Sequence, residues 1–457
     1  MSLIVDALRG KPHDYTSGSV TRAIILLSVP MVLEMSMQSI FEVVDIFFVG
    51  RLGADAVAAV GLTASLIILV FAVGLGFAMA VSAMVARRIG ENDPDGAAKS
   101  TGQAILACVV TSLPIGLLAV LYAPELLALM GADDSVIRIG SGYTAVLIGG
   151  NITIILLFLF NAVFRGAGDP GLAMKALGLA NLLNIILDPI FIFGLGPIPG
   201  MGVEGAAIAT TISRAVGVAY QIHMLQSGQS RIRLTLAHFR YDGTLMRRLL
   251  DISWPAILQY LVGTASWMAI MRMMAVFGSA SLAGYTITIR IIIFALLPSW
   301  GVSNAAATMV GQSLGAGNPD RGETAVRICS IVDAIFLGII GVIFWILAAP
   351  IVGVFSTDAA VIETGVRSLR IISISFPIWA VGMVTVQAFN GAGDTRTPTW
   401  INLTAYWVVQ LPLAAFLAWP LGLGENGIFW AIATAQVVLA VLSFILFRRG
   451  KWKTVSV

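Results

Sequence analysis

Residues 87–96 read RRIGENDPDG, and residues 312–322 read QSLGAGNPDRG. Gly90, Pro94 and Asp95 of the first tract recur as Gly315, Pro319 and Asp320 of the second, at an offset of 225. The same offset carries FRGAGD (Phe164 to Asp169) onto FNGAGD (Phe389 to Asp394), Pro30 onto Pro255 and Gly53 onto Gly278. Chance does not place so many landmarks at one spacing. An internal repeat of this length in a hydrophobic chain predicts two helical bundles with a binding site between them.

Composition says what those bundles are made of. Of the 457 residues 58% are hydrophobic and 11% charged, with a mean hydropathy of +0.93, whereas soluble domains carry about 25% charge. Apolar stretches of about 20 residues read as membrane-spanning helices. Twelve are expected, at 22–49, 57–86, 98–123, 137–164, 173–195, 203–225, 246–277, 282–310, 323–350, 361–390, 399–421 and 425–447. A β-barrel is excluded, because barrel strands are alternating segments of about 10 residues. The fold class expected is therefore all-α and integral to a membrane, as two pseudo-symmetric six-helix bundles. Six is even, so both bundles enter from the same side and the repeats are parallel.

Lys and Arg set the orientation. With the N-terminus cytoplasmic, all but seven of the 27 basic residues fall on the cytoplasmic side, the exceptions being Arg51, Arg138, Arg214, Arg272, Arg290, Arg367 and Arg370. Both termini are thus expected inside a prokaryotic inner membrane. The net charge of +3 reflects that topology, and nucleic-acid binding is not expected. The first twenty residues are too polar for a cleavable signal. The organisation reads as a lead-in at 1–21, a first lobe at 22–225, a basic linker at 226–245, a second lobe at 246–447 and a tail at 448–457.

Several chemistries have no support. Cys108 and Cys329 sit in separate helices and read as packing residues, and His13, His223 and His238 are scattered, so no metal site or cofactor is expected. GAGD lacks the GK[ST] ending of a phosphate-binding loop. An enzyme would need a nucleophile and base or a metal set at one depth, and none is visible. Energy must come from an ion gradient.

Intramembrane acids are where that coupling should lie, since a carboxylate at mid-membrane costs about 2.5–3.5 kcal/mol on insertion scales. Glu34, Gln38, Glu42 and Asp45 advance by four, four and three residues and form one polar stripe on the first helix. Pro30 lies one turn earlier and is a candidate hinge. The fifth helix holds Asn181, Asn184, Asp188 and Pro189. Asn184 and Asp188 share a face, and Pro189, the second candidate hinge, leaves the Ile185 carbonyl without its helical partner. The sixth helix adds Thr210 and Thr211. Asp45, Asp188 and Thr210 fall within roughly 5 Å of one another in depth, so the two carboxyls are expected to hold a proton or a monovalent cation between them. Offset by 225, Asp45 meets Ile270 and Asp188 meets Leu413, so the ion chemistry belongs to the first lobe. Arg272 and Arg290 lie inside helices of the second lobe, and Asp333 stands inside the ninth span.

The tracts PMVLEMSMQSIFEVVDIFFVGRLGADAVAAVG, RRIGENDPDGA, FRGAGD and NIILDPIFIFG with GVEGAAIAT resemble the multidrug and toxic compound extrusion (MATE) family. The resemblance covers nearly the whole chain, the duplicated loops included. It implies twelve helices in two lobes around a cleft, and export of organic, often cationic, compounds driven by a proton or sodium gradient. The DinF-like branch carries its coupling acids in the first lobe, which here implies Asp45, Asn184, Asp188 and Thr210, joined by Gln38 and Asn161. Departures are Phe41 where tyrosine is common, Glu42 where asparagine is common, and Arg272 and Gln387 where the NorM-like branch has second-lobe carboxylates.

The expected activity is secondary active multidrug efflux by alternating access, in a monomer embedded in the lipid bilayer, with a proton, or else sodium, as the coupling ion. Substrate contacts are expected at Glu34 and Phe41 on the first helix and at Gln259, Trp267, Met271 and Arg272 on the seventh. The alternative is a lipid-linked oligosaccharide flippase of the same superfamily. It would need a cationic cleft for pyrophosphate, where the first half offers acids.

Overall fold

The computed structural model describes residues 2–9 and 13–457, with the side chains of Ser2, Arg9 and residues 39–46 outside the description. After a short α1 (Ser2–Arg9), the first repeat runs α2 (Val20–Val49), α3 (Ala54–Gly90), α4 (Pro94–Leu129), α5 (Asp134–Gly149), α6 (Asn151–Ala167), α7 (Pro170–Phe193) and α8 (Gly202–Ser227). The second runs α9 (Gly243–Ala275), α10 (Ser279–Gly315), α11 (Pro319–Gly353), α12 (Ala359–Ser373), α13 (Phe376–Ala392), α14 (Arg396–Asn402), α15 (Leu411–Ala418) and α16 (Glu425–Arg448). A π-helical stretch, Leu403–Gln410, joins α14 to α15 into one rod. Each of the twelve expected spans has its helical counterpart, so the chain is an all-α, multi-pass membrane protein.

Two spans differ from the sequence reading because they are broken. α5 and α6 meet at a bend of 40°, and α12 and α13 at a bend of 59°. The breaks fall at Gly150 and Ser375, again 225 apart. Gly150 ends α5 without a side chain to hold the helix together, and Pro377, early in α13, has no N–H to donate to the preceding turn.

The repeat is reproduced in backbone detail. Asp93 (φ −113°, ψ 75°) and Asn318 (φ −121°, ψ 70°) cap α4 and α11, each side chain accepting from the backbone N–H three residues on. A Pro follows each cap, where its missing N–H costs nothing. Gly168 and Gly393 end α6 and α13 at φ 84° and 86°, a left-handed conformation that glycine adopts without strain. The other glycines of these tracts do different work. Gly166 packs on the Ser82 carbonyl of α3, and Gly391 on the Ala307 carbonyl of α10, so helices approach to backbone contact where only glycine fits. In GAGD the second glycine thus supplies the turn, while the first is a packing residue.

α3 and α10 have 37 residues each, roughly 55 Å of helix against a hydrocarbon core of about 30 Å. They are therefore longer than the hydrocarbon core is thick. Val110, Leu117 and Leu121 of α4 are exposed, and so are their repeat equivalents Ile335, Val342 and Ile346 of α11. Such apolar stripes belong against lipid. Among the described residues eight helices are long and apolar enough to span by themselves, and the two bent pairs raise this to ten. α8 and α9, with 26 and 33 residues, have the length but carry more polar side chains.

The chain divides into two compact units, residues 1–13 with 33–257 and residues 14–32 with 258–457. Two of the three divisions fall inside α2 and inside α9, each two residues after a proline, Pro30 and Pro255. In the first unit the linker is tied down by Asp169, which accepts from Ser230 Oγ at 2.7 Å and from the Arg231 N–H at 2.9 Å. His238 Nε2 contacts Asp95 Oδ1 at 3.0 Å, and Gln103 Nε2 donates to the Arg240 carbonyl at 2.8 Å. In the second unit Arg321 donates to the carbonyls of Tyr15, Ser17 and Gly18.

Candidate functional site: a buried polar group in the first unit

α7 and α8 pack through small residues. A Cβ on Gly205 would stand 2.2 Å from the Phe191 carbonyl oxygen, and Ala206, Ala207 and Ala209 are buried beside it. Close approach of this kind is how membrane helices associate, and it brings the α8 hydroxyls to the face of α7 that carries Asn184 and Asp188. Asn184 Nδ2 donates to Asp188 Oδ1 at 2.9 Å and to Thr210 Oγ1 at 3.2 Å. Asn184 and Asp188 are wholly buried, and Thr210 is 3% exposed. One amide therefore links a carboxyl to a hydroxyl across two helices, out of contact with solvent.

Asn184 and Asp188 bond because four residues is one helical turn. The contact with Thr210 spans 26 residues of chain and depends on the depth at which α8 docks. Asp188 lies five residues from the far end of α7, the end away from the basic loops. Asn181, two turns nearer those loops than Asp188, donates through Nδ2 to the Met37 carbonyl at 2.8 Å and so ties α7 to α2.

A second polar group lies toward the basic end. Gln221 Nε2 of α8 donates to Asn161 Oδ1 of α6 at 2.6 Å, both residues being buried. Asn161 thus has its partner in Gln221. Sequence reading passed over Gln221, although its placement three turns along α8 from Thr210 is a legible signal. Gln38 lines a narrow void of about 10 Å³ with Arg214, Phe158 and Leu177, about the room that one water needs.

Glu34, expected as a substrate contact, is instead wholly buried and ion-paired, Arg165 Nη1 donating to its Oε1 at 2.7 Å. A residue so placed joins α2 to α6. The side chains of Asp45, Phe41 and Glu42 lie outside the described residues. On α9, Gln259 is buried, while Trp267, Met271 and Arg272 are exposed. Pro30 and Pro189 lie within α2 and α7. Cys108 and Cys329 are both buried in α4 and α11.

Comparison with known proteins agrees with this architecture. The MatE family pattern matches the chain twice, over residues 30–190 and 255–416, so the two matches begin at the equivalent prolines. A probable multidrug resistance protein NorM of Thermotoga maritima is 25% identical over 435 residues, covering 95% of this chain and 93% of that protein. An FAD transporter of Shewanella oneidensis is 25% identical, covering 96% of each chain. Among solved structures, a MATE in complex with MaL6 superposes with a TM-score of 0.89 at 26% identity, covering 98% of both chains.

Proposed function

This chain belongs to the MatE family of membrane transporters, and we propose that it exports small organic compounds by antiport against a proton gradient, with Asp188 as a coupling acid. It is a transporter and not an enzyme. The observation that carries the coupling assignment is the buried bond of Asn184 to both Asp188 and Thr210, three positions that become Val409, Leu413 and Ala435 in the second repeat. A scaffold duplicated down to its helix caps has kept this group in one half only.

The group offers a single wholly buried carboxyl, that of Asp188, and this suits a proton. A sodium ion needs oxygen ligands turned inward, whereas a proton needs one carboxyl. Asp45 completes the coupling pair in this reading. The relatives' names, a multidrug resistance protein and an FAD transporter, support a small organic substrate as the class. Gln259, Trp267, Met271 and Arg272 on α9 are the residues assigned to contact it. The basic loops support cytoplasmic termini, in this reading at a prokaryotic inner membrane.

Pro30 and Pro189 act as hinges for alternating access in this reading, and α2 passes from one unit to the other just beyond Pro30. A proline inside a helix removes a backbone bond and eases bending there. Competition between proton and substrate for one conformational equilibrium then couples their movements.

Efflux from reconstituted vesicles tests the proposal, with proton and sodium gradients imposed separately. Uphill export under the proton gradient alone, lost in Asp188→Asn with the protein still inserted, is the expected result. Export that follows sodium alone, or an Asp188→Asn protein with wild-type uphill transport, would overturn it.

A further inference from the structure

The second unit holds an intramembrane acid for which the antiport cycle above has no use. Asp333 of α11 is wholly buried, as are Ser299 and Ser303 of α10. The Ser299 hydroxyl stands beside the Asp333 carboxyl. Yet among the described residues neither carboxyl oxygen, nor either serine hydroxyl, has a partner in hydrogen-bond geometry. Buried polar atoms are nearly always satisfied, so four orphaned oxygens around one hairpin call for a ligand.

Their depths agree. α10 and α11 are antiparallel and share the turn at Ala316–Asn318, so distance from that turn measures depth. Ser303 and Ser299 lie twelve and sixteen residues before Gly315, and Asp333 lies fourteen residues after Pro319. At 1.5 Å per residue these are roughly 18, 24 and 21 Å, which puts the carboxyl midway between the two hydroxyls in depth.

Among the described residues no ion pair reaches this group, and Arg327, six residues before Asp333 on α11, is exposed. α11 packs against α10, α12 and α13. α13 has no titratable residue, and on α10 Arg290 lies nine residues beyond Ser299, toward the far end. On α12, Arg367 is engaged by Glu425, with Glu363 close by. Arg370 donates to the carbonyl of Trp345, twelve residues beyond Asp333 on α11. Cys329, one turn before Asp333, is the neighbouring titratable group on the same helix. An ionised carboxyl here would be a buried charge without a partner, which costs several kcal/mol. A protonated one is neutral and has an O–H to donate to a serine.

We propose that Asp333, with Ser299 and Ser303, is a second proton-binding site of this transporter, built into the second unit. At the equivalent positions the first repeat has Cys108, Gly74 and Ala78, just as the second repeat has Leu413 in place of Asp188. Intramembrane acids without a structural partner mark proton relays. The inference does not depend on Asp188 driving export, because the site is defined by its own proton.

The test is infrared difference spectroscopy of the purified full-length protein through a pH titration, read in the carboxylic-acid carbonyl stretch. A titrating band should be present in the wild type, persist in Asp188→Asn and disappear in Asp333→Asn. Ser299→Ala keeps the acid, so it serves if Asp333→Asn fails to fold. It should displace the frequency of the band, and its midpoint by on the order of one pH unit, the weight of one hydrogen bond. The pH profile of efflux should move with the band in Ser299→Ala and change as well in Asp333→Asn. A wild type without such a band, or a band that neither variant alters, would remove Asp333 from proton binding.

Discussion

Arg165 and Glu34 form an ion pair of 2.7 Å between α6 and α2, and the positions 225 residues on hold the neutral amides Gln259 and Asn390. The first repeat thus keeps a charge at each position where the second keeps only polarity. Glu34 has 1% of its side chain exposed and Arg165 14%, so neither charge is stabilised by much water.

Removing one partner should therefore be costly. Arg165→Gln leaves a buried carboxylate without its cation, and a loss of about 3–5 kcal/mol is expected. Changing both residues to the second-repeat pair, Glu34→Gln with Arg165→Asn, should recover most of that loss. Unfolding of the detergent-solubilised protein measures both, and a double variant no more stable than Arg165→Gln would show that the charge is not the cause.

Thr210 contributes a single acceptor to Asn184. Thr210→Val keeps the shape and deletes the hydroxyl, removing a bond worth about 1 kcal/mol, or roughly a fivefold change in affinity. The proton concentration needed for half-maximal efflux should shift by about that factor, and Thr210→Ser should restore it. Equal behaviour of the Val and Ser variants would place the hydroxyl outside the coupling group.

The close approach of α10 and α13 depends on Gly391, where a Cβ would stand 2.2 Å from the Ala307 carbonyl oxygen. At the equivalent Gly166 the distance to the Ser82 carbonyl oxygen is 2.7 Å. Backbone cannot rotate away as a side chain can. Each Gly→Ala change should cost about 1–3 kcal/mol through overpacking, with Gly391→Ala the more damaging. Thermal unfolding ranks them, and the reverse order would contradict this geometry.

Asp169 supplies a pH dependence outside the membrane. Its burial pushes the carboxyl above the ordinary carboxylate range, and the bonds from Arg231 N–H and Ser230, with the charge of Arg231, only partly offset this. The folded protein therefore holds this proton more firmly than the unfolded chain does. The stability it contributes is full below the ordinary carboxylate value, about 4, and is lost as pH rises through the raised one. Asp169→Asn should flatten the fall in melting temperature over that window. Parallel curves for wild type and variant would count against the assignment.

The duplicated landmarks determined the architecture without any coordinates. An offset of 225 residues, read with the length of each apolar stretch, is enough to place six spans in each half, because a helix satisfies its own backbone within the segment and a membrane admits little else. Asn184 and Asp188 were legible as a pair for the same reason: their spacing is a property of one helix. What joins different helices was decided only in the tertiary structure. Thr210 reaches Asn184 because Gly205 lets α8 lie against the α7 backbone. Gln221 meets Asn161, and Arg165 meets Glu34, across 60 and 131 residues of chain. The exchange of α2 and α9 between units beyond Pro30 and Pro255, and the bends at Gly150 and Ser375, likewise follow from how whole helices dock. Spacing along one helix is set by 3.6 residues per turn, whereas the depth and rotation at which two helices meet are set by the packing of many side chains at once.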